Sequence, residues 1–329
     1  MILDGYFVKP GPPPLAHPSD VERFESEVAI YERLGWHERI LRCHGLHPTE
    51  KALRFDYLPK GDLGDYLTQY GINTTPYSTR LQWIVDIAEG IAFLHSKGVV
   101  WVDANPSNML LTDDLRIVLS DFAGSSMMPE YFPSVRPTGA WVAPPNTRRK
   151  YSWFTETQDR FAFGSLVFVL LLGRYPHCDG PLFFSFEEMS RVEDLHEASI
   201  FDHCVSKEAY PVLAEVIQKC WRVEYESTEA MLCDVIRGRD ECLKVRESFL
   251  RWCKTLMGVQ RKAPPPQSLL TMRDTWAQAL GKRGVCVRWQ RARTQGDMYR
   301  WGDIWQKWTT KPWAKLMGLI VLRKFTHRL

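Results

Sequence analysis

The 329-residue sequence has no apolar run long enough to cross a bilayer. Its longest, Phe161 to Leu172, is interrupted by Gly164 and falls well short of the roughly 20 residues that a spanning helix needs. It reads instead as a buried core helix. Cys-x-x-Cys pairs are also missing, since the eight cysteines are scattered, and Met1 is followed by a Tyr/Pro-rich stretch rather than an apolar signal core. These absences point to a reduced, intracellular compartment, cytoplasmic or nuclear. No internal repeat is present.

The composition is that of an ordinary globular protein, 45% hydrophobic and 25% charged. Its net charge of +3 conceals an asymmetry. Residues 1–245 carry 24 Lys and Arg against 35 Asp and Glu, whereas 246–329 carry 18 against 4. Two differently built parts are expected. The basic tail holds seven of the 13 tryptophans and a Pro264 to Pro266 break, with no sustained hydrophobic period. Arg288, Arg291 and Arg293 alternate with Trp289 and Trp301, a pattern that suits nucleic acid or a membrane surface. A poorly ordered extension, or a translated segment that belongs to no folded domain, is the favoured reading of 246–329, and no function is assigned to it.

Ile2 to Val8 reads as a strand that the Pro10 to Pro14 run ends, because proline cannot donate to a ladder. Ser19 to Leu34 has a Ser19/Asp20 start, apolar Val21, Phe24, Val28 and Tyr31 at helical spacing, and Gly35 as a stop. Two apolar stretches between Ile40 and Leu58 flank a His-Pro-Thr-Glu turn and suggest a hairpin. From Asp62 on, helical patterns dominate: Leu63 to Tyr70, then Leu81, Ile84, Ile87, Ala88, Ile91 and Leu94 up to Gly98. Leu115 to Leu119 reads as a short strand, and helices resume near Thr155, Glu188, Tyr210 and Ser227. The expected organisation is a small mixed lobe over 1–60, a helical lobe over 61–245, and the tail.

The chemistry is concentrated in VVWVDANPSNMLL, residues 99–111, and VLSDFAG, residues 118–124. Together these resemble the catalytic loop and metal-binding DFG element of eukaryotic protein kinases. Phosphoryl transfer needs a carboxylate to accept the substrate hydroxyl proton, and oxygen ligands that hold magnesium on the nucleotide phosphates. The resemblance implies Asp103 as that base, with Asn108 and Asp121 as metal ligands. It implies ATP and Mg2+ as cofactors, a protein as substrate, and a two-lobed α+β fold with a mostly helical large lobe.

Further matches extend the resemblance from about Gly5 to about Glu241. FVK ends a strand at Lys9, and Glu27 follows eighteen residues later on the helix face shared with Ile30 and Tyr31. The resemblance implies a Lys9–Glu27 ion pair that holds the α and β phosphates. LRFDYLPKGDL, residues 53–63, is similar to the kinase hinge. Asp56 carbonyl and Leu58 amide are expected to bind the adenine, Asp62 the ribose, and Leu110 to form the pocket floor, with Phe55 as gatekeeper. TGAWVAPP, residues 138–145, resembles the end of an activation segment, with Thr138 expected to touch Asp103. Asp159 resembles the buried aspartate that holds the catalytic-loop backbone.

Several positions depart from the family pattern. A kinase covers the phosphates with a glycine-rich loop upstream of the lysine, but eight residues precede Lys9 and no GxGxxG spacing stands at 10–14 or 71–78. The expected small lobe is therefore reduced, without its first two strands. Trp101 and Val102 replace the usual His and Arg, which leaves no cation for a phosphorylated activation segment. Asn105 stands where Ser/Thr kinases keep a lysine, a loss of one charge on the order of 10²–10³ in rate. Pro145 replaces a glutamate, and no arginine near Tyr225 to Glu229 would pair with it. Trp101 keeps aromatic packing beside Phe122 and Tyr31. Two readings follow: a Ser/Thr protein kinase, or a pseudokinase or truncated fragment that binds nucleotide or protein partners. The complement of catalytic acids favours the first by a narrow margin.

Overall fold

The computed structural model describes residues 2–3, 5–48, 51–127, 137, 139–144, 154–178, 185–202 and 210–258. Most of the basic, tryptophan-rich tail lies outside them. No helix of the described residues is long and apolar enough to cross a membrane.

The N-terminal stretch forms two strands rather than the single one expected. β1 (Ile2–Leu3) pairs antiparallel with β2 (Tyr6–Pro10), Ile2 opposite Phe7 and Leu3 opposite Tyr6. Gly5 makes the turn at φ 83°, a conformation open to a residue without Cβ. α1 (Pro18–Leu34) begins earlier than the Ser19/Asp20 start, because Pro18 is pre-set for the first helical turn. His17 caps it, accepting from the Ser19 amide at 3.3 Å, and Gly35 ends it at φ 61°. β3 (Cys43–Leu46) and β4 (Ala52–Asp56) form the expected hairpin, and the sheet order is β1-β2-β4-β3.

Register decides what this sheet presents to each side. Phe7 lies opposite Phe55 and Lys9 opposite Leu53, so these four side chains share a face. Leu53 and Phe55 are buried there, and the Phe55 ring lies 5.0 Å from Tyr31 of α1. The other face carries Tyr6, with the His44 ring 4.7 Å away and the Arg54 guanidinium 5.7 Å over it.

The large lobe is helical, as expected. α2 (Leu63–Tyr70), α3 (Tyr77–Ser96), α4 (Glu156–Leu172), α5 (Phe186–Glu197), α6 (Pro211–Trp221) and α7 (Thr228–Gly258) build it. α7 runs through position 245, where the sequence suggests the lobe ends. α4 is buried along Gln158 to Leu171, and each large apolar side chain there contributes roughly 1.5–3 kcal/mol. Gly164 lets α6 approach, since a Cβ at this position would lie 2.7 Å from Cys220 Cβ. Buried Arg80 donates to the carbonyls of Leu170 and Leu171 at 3.2 and 3.3 Å, serving the otherwise unpaired end of α4.

Three short pairings position the loops between α3 and α4. β5 (Val99–Val100) pairs with β8 (Ser126–Met127), and β6 (Met109–Leu111) with β7 (Ile117–Leu119). β7 begins later than the Leu115 start expected, because Leu115 turns at φ 59°. Buried Asp86 holds this turn, accepting from Arg116 Nη2 at 2.6 Å and from the Ile117 amide at 3.1 Å. Leu41 donates to the Leu119 carbonyl at 2.9 Å, which ties the small lobe to the large one.

Candidate active site

Asp103 follows β5 in a loop that a 3₁₀ turn, Pro106–Asn108, closes. Two asparagine amides grip its carboxylate. Asn105 Nδ2 donates to Oδ1 at 2.8 Å, and Asn108 Nδ2 donates to Oδ2 at 3.0 Å and to the Asp103 carbonyl at 2.9 Å. Asn105 also accepts from the Ser107 amide at 3.0 Å, so its own side chain is fixed. Asn108 spends its nitrogen on Asp103, which leaves the amide oxygen as its free coordinating atom.

Lys9 reaches across from β2 and joins two acids. Its Nζ lies 2.9 Å from Glu27 Oε1, 2.8 Å from Glu27 Oε2, and 2.9 Å from Asp121 Oδ1. Glu27 is buried, and burial raises its pKa against the pull of Lys9. Burial opposes the Lys9 charge as well, but Glu27 and Asp121 outweigh it and raise the lysine's pKa. Asp121 stands at φ 56° with its side chain half exposed.

The expected hinge residues line the connection between the lobes. Asp56 and Leu58 are half-buried, and the Asp56 carboxylate is held by His44 Nε2 at 2.7 Å. Asp62 caps α2 by accepting from the Asp65 amide at 2.9 Å, and bridges to half-buried Leu110 on β6. Phe55, the expected gatekeeper, is buried beside Tyr31. Thr138 and Pro145 lie outside the described residues.

The catalytic-loop backbone is braced from below. Asp159, fully buried on α4, accepts from the amides of Trp101 and Val102 at 2.7 and 2.8 Å. It also bonds His95 Nε2 at 2.9 Å, while His95 Nδ1 bonds Thr228 Oγ1 at 2.6 Å. Val102 sits at φ 67°, a region costly to a β-branched residue, and its burial and the Asp159 bond hold it there.

Two devices here have no signature in the sequence. Trp101 Nε1 donates to the Ser120 carbonyl at 3.2 Å, next to Asp121, so the indole supplies both packing and a hydrogen bond. The 139–144 segment is held by neutral groups: Gln158 accepts from the Ala143 amide at 3.1 Å and donates to the Trp141 carbonyl, and Ser165 donates to the Ala140 carbonyl at 2.6 Å. A buried side-chain amide and a buried hydroxyl meet main-chain groups there.

The donor set fits an anionic nucleotide and a hard cation: an ammonium at Lys9, a half-exposed carboxylate at Asp121, and an amide oxygen at Asn108. A two-lobed α+β domain with such groups on a small-lobe strand and the loops that face it defines the class of protein kinases. The protein kinase domain model matches residues 14–230, and the chain belongs to that family. It is similar to the serine/threonine/tyrosine-protein kinase HT1 of Arabidopsis thaliana, 26% identical over 68% of this chain and 56% of that protein. Receptor-like kinase TMK2 of the same plant is 30% identical over 47% of this chain and 18% of its own length. Serine/threonine-protein kinase STY46, also from Arabidopsis thaliana, is 24% identical over 64% and 35%. The chain thus spans about half the length of HT1 and less of the other two.

Proposed function

We propose that this chain is a protein serine/threonine kinase, which moves the γ-phosphoryl group of ATP to a protein hydroxyl. The observation that carries the reading is the convergence of Lys9, Glu27 and Asp121 from three separate elements, with Asp103 and Asn108 hydrogen-bonded beside them. Structural ion pairs seldom gather a lysine, two acids and an oriented carboxylate in the cleft between two lobes.

Asp103 accepts the proton of the substrate hydroxyl, with Asn105 and Asn108 fixing the direction of its oxygens. Lys9 neutralises α and β phosphate charge, and Glu27 keeps its ammonium in position. Asp121 and the Asn108 amide oxygen would hold Mg2+, which when bound neutralises the phosphates. Asp56 carbonyl and Leu58 amide meet the adenine edge, Asp62 the ribose and Leu110 the lower face of the base. Thr138 is assigned to the hydroxyl side of Asp103. The pseudokinase alternative rests on the missing GxGxxG spacing, Val102 and Asn105, and the complement of catalytic acids is set against it.

Thermal stabilisation of the full chain by magnesium ATP tests the reading. At 100 times the dissociation constant, bound nucleotide is expected to add about 2.7 kcal/mol. Asp121→Asn should abolish most of that shift; an equal shift in both proteins would remove the metal role of Asp121.

A further inference from the structure

Three candidates lie outside the roles assigned above. His196, buried among aromatic rings in the large lobe, has no access to a ligand. Trp36, exposed beside the stacked His37 and Phe93 rings, is an apolar surface with nothing to say what covers it. The third is the proline-rich connection between β2 and α1, PGPPPLAHP over residues 10–18.

Pro10, Pro12, Pro13, Pro14 and Pro18 all stand in this stretch. A proline ring holds its own φ at about −65° and pushes the residue before it out of the helical region. Pro12 and Pro13 meet both conditions, which favours the extended polyproline II conformation. Pro14 then takes the first corner of a β-turn that the Ala16 amide closes on the Pro13 carbonyl at 2.9 Å, with Leu15 at the second corner. Both feet of the connection are tied down. The Gly11 amide donates to the Lys51 carbonyl at 2.6 Å, and the Asp20 amide of α1 donates to the His17 carbonyl at 2.9 Å.

The tip of this braced turn is apolar and bare. Leu15 is 98% exposed, and Pro13 and Pro14 beside it are exposed as well. One exposed leucine on a surface is ordinary, but here it continues a row of exposed prolines on a rigid support. The rigidity means that little further ordering is required on binding. Pro12, Pro13 and Pro14 have no N–H, so this edge offers carbonyl oxygens and apolar rings, which suit a groove lined by Trp and Tyr. No Lys or Arg stands within 10–18, whereas Asp20 and Glu22 follow, exposed on α1. From these observations we infer that Pro12 to Leu15 is a docking element for a second protein, a polyproline-reading module with an aromatic groove and a basic rim. The inference goes beyond phosphoryl transfer and does not depend on it.

The test is biolayer interferometry of the full chain against immobilised WW, SH3 and EVH1 domains, chosen in each class with basic and with acidic groove rims. At least one basic-rimmed domain is expected to bind, and to bind more tightly than its acidic-rimmed counterpart. Leu15→Asp and Pro13→Ala should each weaken that binding about tenfold, the scale of an interface anchor. Leu46→Ala, at another exposed apolar position of the small lobe, should leave it unchanged. The melting temperature of Leu15→Asp should equal the parent's, since the side chain is bare. Failure of every domain to bind would overturn the inference, as would binding that survives both Leu15→Asp and Pro13→Ala. Self-association of the chain in sedimentation that Leu15→Asp abolishes would assign the turn to a second copy and overturn it equally.

Discussion

The indole nitrogen of Trp101 donates to the main-chain carbonyl of Ser120 across 3.2 Å, immediately before Asp121. That bond couples the catalytic loop to the loop carrying the metal-site acid, and it lies wholly in the core. Phe in place of Trp101 keeps an aromatic but leaves the Ser120 carbonyl without this donor. A loss of about 1–2 kcal/mol is expected by urea denaturation. Ala at the same position opens a cavity and should cost about 3–5 kcal/mol. Equal stability of the Phe variant and the parent would show that the bond contributes nothing.

Asp159 has a larger effect to deliver. It receives two backbone amides and His95, and its position holds Val102 in a left-handed conformation. Asp159→Ala leaves two buried N–H groups unmatched, each costing about 1–3 kcal/mol, so a total near 3–5 kcal/mol is expected. Because the strained residue adjoins Asp103, amide hydrogen exchange should show the 99–103 loop opening before the α3 and α4 helices do. Uniform exchange across the lobe would contradict that order.

Acid sensitivity is predicted to centre on His196. Its ring is buried beside Phe161, Phe201 and Trp221, with the His177 ring 6.0 Å away. Burial first, and His177 second, push its pKa down from 6.5 to about 3. In the unfolded chain the imidazole takes a proton near its ordinary value, whereas the folded chain refuses it. Stability is therefore complete above about pH 6.5 and is lost as pH falls below it, by about 2 kcal/mol at pH 5. His196→Phe should remove that share of the loss. A pH–stability profile identical to the parent's would exclude His196 as its source.

Much of this architecture was legible before any coordinates, and the reasons are physical. The Asp103, Asn108 and Asp121 spacing is chemical, and the phase of α1 puts Glu27 on the same face as Tyr31; both are buried, and Glu27 Oε1 lies 2.9 Å from Lys9 Nζ. α4 announced itself by a continuous apolar run. What escaped was of two kinds. Two-residue strands such as β1, β5 and β8 are too short to show a period, and Gly5 is one glycine among 21. Side-chain to main-chain bonds across long separations leave no spacing to read. His95 and Asp159 are 64 residues apart, and Gln158 reaches 15 residues back to Ala143. Asn105 was visible only as a missing lysine; its grip on Asp103 is a matter of rotamer.

The measurement closest to the central claim is single-turnover phosphate transfer from magnesium ATP to a generic basic protein, by the full chain and by Asp103→Asn and Asn105→Lys. Asp103→Asn is expected to lower the rate by 10²–10⁴, the usual scale for a general base, with the ATP-induced thermal shift retained. Asn105→Lys restores a positive charge where negative charge develops and should raise the rate, by up to about 10²-fold. Transfer that is indifferent to Asp103, or no transfer despite a normal ATP shift, would contradict the assignment of Asp103 as the base.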